Sequence, residues 1–104
     1  MKPTERFKKR YVAFNLAVDG AAPPTSDAKS LVHEHFLSFF GESGVSSLAF
    51  KLIKYDEKSG KGLVRCERSR ADETIFCMAC LSEWKGKKAR MESTTTSGSI
   101  KRAE

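Results

Sequence analysis

No stretch of this sequence approaches the roughly 20 consecutive apolar residues that a membrane-spanning helix requires. The N-terminus, Met1-Lys2-Pro3-Thr4-Glu5-Arg6-Phe7-Lys8-Lys9-Arg10, is basic but leads into no apolar signal segment with a small-residue cleavage site. Membrane insertion and secretion are therefore not expected, and the chain reads as cytosolic. Cysteine is scarce and odd in number, with Cys66, Cys77 and Cys80 only, which argues against a disulfide framework. One C-x-x-C is also too little for zinc. Two further ligands would have to come from Cys66 and His33 or His35, and Cys77 and Cys80 lie in an apolar helical run where they read as small buried side chains. There are three prolines, one tryptophan and no internal repeat. What remains is 39% hydrophobic and 31% charged, a globular rather than a disordered composition. At 104 residues there is room for one core and not two. We read a basic tail over residues 1–9, one α+β domain over 10–101 and a short tail over 102–104.

Acidic residues are outnumbered by 13 to 19, giving a net charge of +6. The imbalance is segmental. Residues 1–10, 51–70 and 85–104 each carry +4, whereas residues 11–50 and 71–84 each carry −3. A fold that brings the three basic segments together would present one cationic surface, the electrostatic footprint of a nucleic-acid-binding protein.

Hydrophobic patterning supplies such a fold. Tyr11–Val18 alternates as a strand, with Val12, Phe14, Leu16 and Val18 on its bulky face. Thr25 or Ser26 is placed to cap a helix whose apolar stripe is Ala28, Leu31, Val32, His35, Phe36, Phe39 and Phe40, and Gly41 is placed to end it. Gly41–Gly44 reads as a loop. Leu48–Tyr55 and Leu63–Glu67 read as a hairpin pair across a charged turn. Ser69 with Asp72 resembles a capping pair opening a second helix that runs to about Trp84. Ala89–Thr96 reads as the last strand. The order βαββαβ predicts a ferredoxin-like sandwich, a four-stranded antiparallel sheet with two helices on one face. The basic segments then fall on the open sheet face and its edges, and the acidic ones on the helices.

RNA-recognition modules share this topology and stack bases on sheet aromatics. Here Val12 stands at the usual aromatic position of the first strand, and Lys61–Cys66 contains no aromatic, so no stacking platform is expected. The expected RNA contacts are instead phosphate contacts by Lys9, Arg10, Arg65, Arg68, Arg70, Lys87, Lys88 and Lys101. No carboxylates form a tight metal-binding motif: Asp56-Glu57 falls in a hairpin turn and Asp72-Glu73 in a first helical turn. No catalytic residue is assigned, and His33 reads as solvated.

Successive blocks resemble a known family. Lys9–Phe14, Phe40–Gly44, Leu52–Cys66, Gly86-Lys87-Lys88 and Ser97–Lys101 are similar, in order, to archaeal ribonuclease P protein component 2. The resemblance implies the sandwich fold and work beside a catalytic RNA in maturing the 5′ end of precursor tRNA. It implies Mg²⁺ held on that RNA and no cofactor on the chain. It also implies pairing with ribonuclease P protein component 3, such pairs being able to form a dimer of heterodimers. The chain stops at Glu104, short of the basic C-terminal extension common in that family, so no contact is carried over from it. Two other classes compete with this reading. One is a protein-interaction module of another ribonucleoprotein, docking through its helical face; the other is a free-standing enzyme on the same scaffold.

Overall fold

A computed structural model describes residues 9–98. Within them the order is β1 (Lys9–Val18), α1 (Thr25–Leu48), β2 (Lys51–Asp56), β3 (Lys61–Glu67), a 3₁₀ turn (Arg68–Arg70), α2 (Ala71–Ala79), β4 (Glu83–Trp84) and β5 (Lys87–Ser97). The sheet is ordered β2-β3-β1-β5-β4 with every pairing antiparallel. The long strands thus make the predicted ferredoxin-like sandwich. The fifth strand, two residues long, is the addition.

The core lies between sheet and helices. Val12, Phe14 and Leu16 of β1 meet Ala28, Leu31, Val32 and Phe36 of α1, and all seven are buried. Val64 and Cys66 of β3, Cys77 and Met78 of α2, and Ala89 and Met91 of β5 complete it. Phe36 stacks on Phe50, with ring centroids 4.1 Å apart and planes within 18°. Gly62 lies opposite Phe14, and a Cβ there would sit 2.4 Å from the Phe14 ring. The missing side chain is what lets that ring cross β3.

Four expectations about boundaries are corrected. Gly41 interrupts α1 without ending it: its φ of 77° and ψ of 172° break the helical path for one residue, a conformation suited to glycine. The helix then resumes through the expected Gly41–Gly44 loop, because Val45 and the fully buried Leu48 gain a place against the core. Leu48 therefore belongs to α1 and not to β2. Neither Thr25 nor Ser26 caps α1 with its own side chain; Pro24 is the N-cap. The orphan N–H of Thr25 donates to the Glu57 carboxylate at 2.9 Å, and the Thr25 hydroxyl donates to it at 3.2 Å. An acid in the β2–β3 turn thus satisfies the helix start from a distance and suits its dipole.

The second helix is shorter than expected. Glu67 rather than Ser69 caps the chain here, accepting from the Ser69 N–H at 2.9 Å. A 3₁₀ turn precedes α2, which ends at Ala79. Glu83 and Trp84 then pair with Lys88 and Lys87 across the Lys85-Gly86 turn, where both residues have positive φ. That hairpin takes residues a helix reading would have continued through. On α1, Phe39 is 40% exposed rather than in the core. Phe36 and Phe40 fill the space in front of the sheet, leaving Phe39 at the rim beside Phe76 of α2, which is 63% exposed.

Candidate nucleic-acid interface

Strand alternation decides which side chains reach the sheet face that the helices leave bare. In β1 the even residues through Leu16 enter the core, so Lys9, Tyr11, Ala13 and Asn15 point the other way. Cross-strand pairing extends this into rows. Lys51, Arg65, Tyr11 and Ser97 form one; Lys54, Leu63, Ala13 and Thr95 the next; Asp56, Lys61, Asn15 and Glu92 a third. Arg90 lies opposite Ala17 beyond them, paired to Glu92 at 3.4 Å. The bare face thus carries Lys9, Lys51, Lys54, Lys61, Arg65 and Arg90 against Asp56, Glu67 and Glu92, with Lys88 and Glu83 opposite each other at its β4 edge.

The expected phosphate ligands divide among several places. Lys9 and Arg65 share the bare face at one end of the sheet. Arg10 lies opposite the buried Cys66 and projects to the helical side. Arg68 and Arg70 sit in the 3₁₀ turn at that same end. Arg70 is engaged: its guanidinium meets Glu73 at 2.7 Å and lies 5.9 Å from the centroid of the Phe40 ring. The pair favours both charged forms, holding Glu73 below and Arg70 above their usual pKa values. Lys87 and Lys88 stand at the far end of β5. Nine residue steps separate Lys88 from Ser97, roughly 30 Å at strand geometry. Lys101 lies outside the described residues. The cations therefore form a band along the sheet with an outlying group, not one compact patch.

Reading the sequence missed Lys51, Lys54, Lys61 and Arg90, and it placed the first-strand aromatic wrongly. Val12 is fully buried beneath the helices; Tyr11 is the ring on the bare face. The signal was available, since making the even residues of β1 the core face sends Tyr11 outward. Arg65, beside it, is half-buried, and its Nε is shielded from solvent without an acceptor. Leaving a buried donor unsatisfied costs about 1–3 kcal/mol.

A hollow opens on this face between the second and third rows. Ala13, Asn15, Lys54, Lys61, Leu63 and Thr95 line it. At its edge the Asp56 carboxylate accepts from the Lys58 N–H and the Ser59 hydroxyl, both at 3.0 Å. These bonds hold its pKa below the usual range. Its acceptor capacity is partly spent inside the turn.

The metal and catalytic candidates are not gathered. Among the described residues, no three of His, Cys, Asp and Glu converge as a metal site would need. His33 is exposed, and His35 donates from Nε2 to the Cys77 carbonyl at 2.6 Å, tying α1 to α2. Cys77 is buried as expected and Cys66 is buried too, but Cys80, also expected to be buried, is exposed, because α2 ends just before it. Burial pushes both inner thiols up, Cys77 to about 12. A thiolate reagent at neutral pH should therefore label the folded protein once, at Cys80, and label three sites after denaturation. Mass spectrometry of the labelled protein reads this directly, and rapid native labelling of Cys77 would contradict the packing of α2.

A βαββαβ sandwich with a mainly cationic bare face has the architecture and charge of domains that lie against RNA. Comparison with known proteins makes this specific. The chain belongs to the Rpp14/Pop5 family, whose family model matches residues 10–104. Ribonuclease P protein component 2 of Pyrococcus horikoshii is 34% identical over 102 residues, spanning 98% of this chain and 84% of that protein. The component 2 protein of Thermococcus kodakarensis is 39% identical over 103 residues, again 98% and 84%. That of Methanosarcina barkeri is 35% identical over 101 residues, 97% of this chain and 73% of that protein. A chain in the cryo-EM structure of yeast ribonuclease MRP shares the fold, with a TM-score of 0.69 over 90% of this chain and 76% of that one. Its sequence identity is 11%, so that likeness is one of architecture.

Proposed function

We propose that this chain is a protein subunit of ribonuclease P, binding the catalytic RNA and assisting Mg²⁺-dependent removal of the 5′ leader from precursor tRNA. The observation that carries the reading is the near-full-length match to archaeal component 2 proteins, 39% identical in one case. The charge pattern supports it: the bare face carries mostly Lys and Arg, and α2 opens with Asp72 and Glu73. In this reading Mg²⁺ belongs to the RNA phosphates. The chain screens phosphate repulsion and stabilises the active RNA shape, with Lys9, Arg10, Arg65, Arg68, Arg70, Lys87, Lys88 and Lys101 as its phosphate ligands.

The helical side is the surface for a protein partner. Phe39 and Phe76, exposed and 5.9 Å apart in an edge-to-face pair, support docking there of ribonuclease P protein component 3. Such a pair could then dimerise into a dimer of heterodimers. Purifying the tagged chain from its native source and sequencing the bound RNA tests the proposal. One enriched RNA that cleaves precursor tRNA in Mg²⁺ supports it; a protein complex free of RNA favours the alternative of a protein-interaction module.

A further inference from the structure

We propose that the bare sheet face takes an unpaired segment of RNA, with one base stacked on Tyr11 and the neighbouring base seated in the hollow over Ala13. This deepens the RNA-binding reading above and rests on it. Tyr11 lies on the central strand, in the row of Lys51, Arg65 and Ser97, and takes no part in the core on the other side. Its side chain is partly buried on that face. The next row, two residues along, is about 7 Å away, within the reach of one extended nucleotide. There Ala13 contributes only a methyl group, and the hollow above it is edged by the Asn15 amide and the hydroxyls of Thr94 and Thr95. An amide beside hydroxyls offers donors and acceptors to the edge of a base.

Charge sets the course of the backbone. Lys51 and Lys54 lie on β2 and Lys61 on β3, all on one side of the Tyr11–Ala13 line. Across that line β5 presents Ser97, Thr95, Thr94 and the acid Glu92, which is paired with Arg90. Phosphates would follow the β2 side. A phosphate oxygen on that side would meet the Arg65 guanidinium in a charge-assisted contact. Asp56, with part of its acceptor capacity already used in its turn, lines the far edge of the hollow and discourages a phosphate at that end. A duplex presents neither unstacked base faces to a ring nor a single base to a hollow, so the arrangement selects unpaired RNA.

The test uses the full chain, a short fluorescent oligouridylate and an RNA duplex with the same number of phosphates. Tyr11→Ala should weaken single-strand binding by about 5- to 150-fold, the range for losing one base–aromatic stack. It should leave duplex binding and the slope of log affinity against log salt unchanged. Ala13→Leu, which fills the hollow without touching a charge, should selectively weaken the single strand as well. Tyr11→Phe should bind like the parent, separating loss of stacking from loss of fold. Equal losses on both RNAs, or parent-like binding by Tyr11→Ala and Ala13→Leu, would overturn the inference. Binding by the parent that does not respond to salt would instead overturn the phosphate-contact reading beneath it.

Discussion

Replacing Phe36 with alanine is expected to destabilise the protein by about 3–5 kcal/mol, the usual cost of removing a buried phenylalanine ring. Phe36 is fully buried, stacks on Phe50 at 4.1 Å and packs near Phe40, with centroids 6.0 Å apart. Through this ring α1 reaches the start of β2, and alanine cannot span the gap. The total stability of a domain this size is only about 5–15 kcal/mol, so a large part of it disappears. Urea unfolding followed by circular dichroism measures the effect. The midpoint should fall sharply with little change in slope. A variant as stable as the parent would mean that α1 does not cover the sheet.

The second large effect concerns RNA. Replacing Lys9, Arg65, Arg68 and Lys88 together with alanine should lower the slope of log affinity against log salt by about 3, at roughly 0.7–0.9 for each phosphate no longer neutralised. Affinity at low salt should fall by about two orders of magnitude. Glu34→Lys is the control. Glu34 lies on the helical side and accepts from the Trp84 indole at 3.4 Å, so reversing its charge should leave RNA binding nearly unchanged. An unchanged slope in the fourfold variant would remove these cations from the interface.

How far the sequence could be read follows from the range of the interactions involved. The β1 alternation and the Leu31-Val32-Phe36 stripe were legible because each states which face it buries. The charge segments became a surface once the strand order was known. The continuation of α1 past Gly41 was not legible, since it depends on Leu48 finding the core. Nor was the β4–β5 hairpin, because two residues carry no periodicity and gain their place only by pairing with Lys87 and Lys88. The site suffered most from a matter of register. Aligning a motif put the aromatic position at Val12, whereas the same strand's own alternation turns Val12 inward and Tyr11 outward. Lys51, Lys54 and Lys61 escaped notice for a related reason: only cross-strand pairing shows that they share one face with Arg65.

The proposed role is to support a catalytic RNA without itself cleaving. Its most direct test is precursor tRNA cleavage by ribonuclease P reconstituted from the native RNA and its other protein subunits, with and without this chain, beside the chain alone. Adding the chain should lower the Mg²⁺ concentration needed for 5′-leader removal, and the chain alone should cleave nothing. Cleavage by the chain alone, abolished by Asp56→Asn or Asp72→Asn, would contradict it.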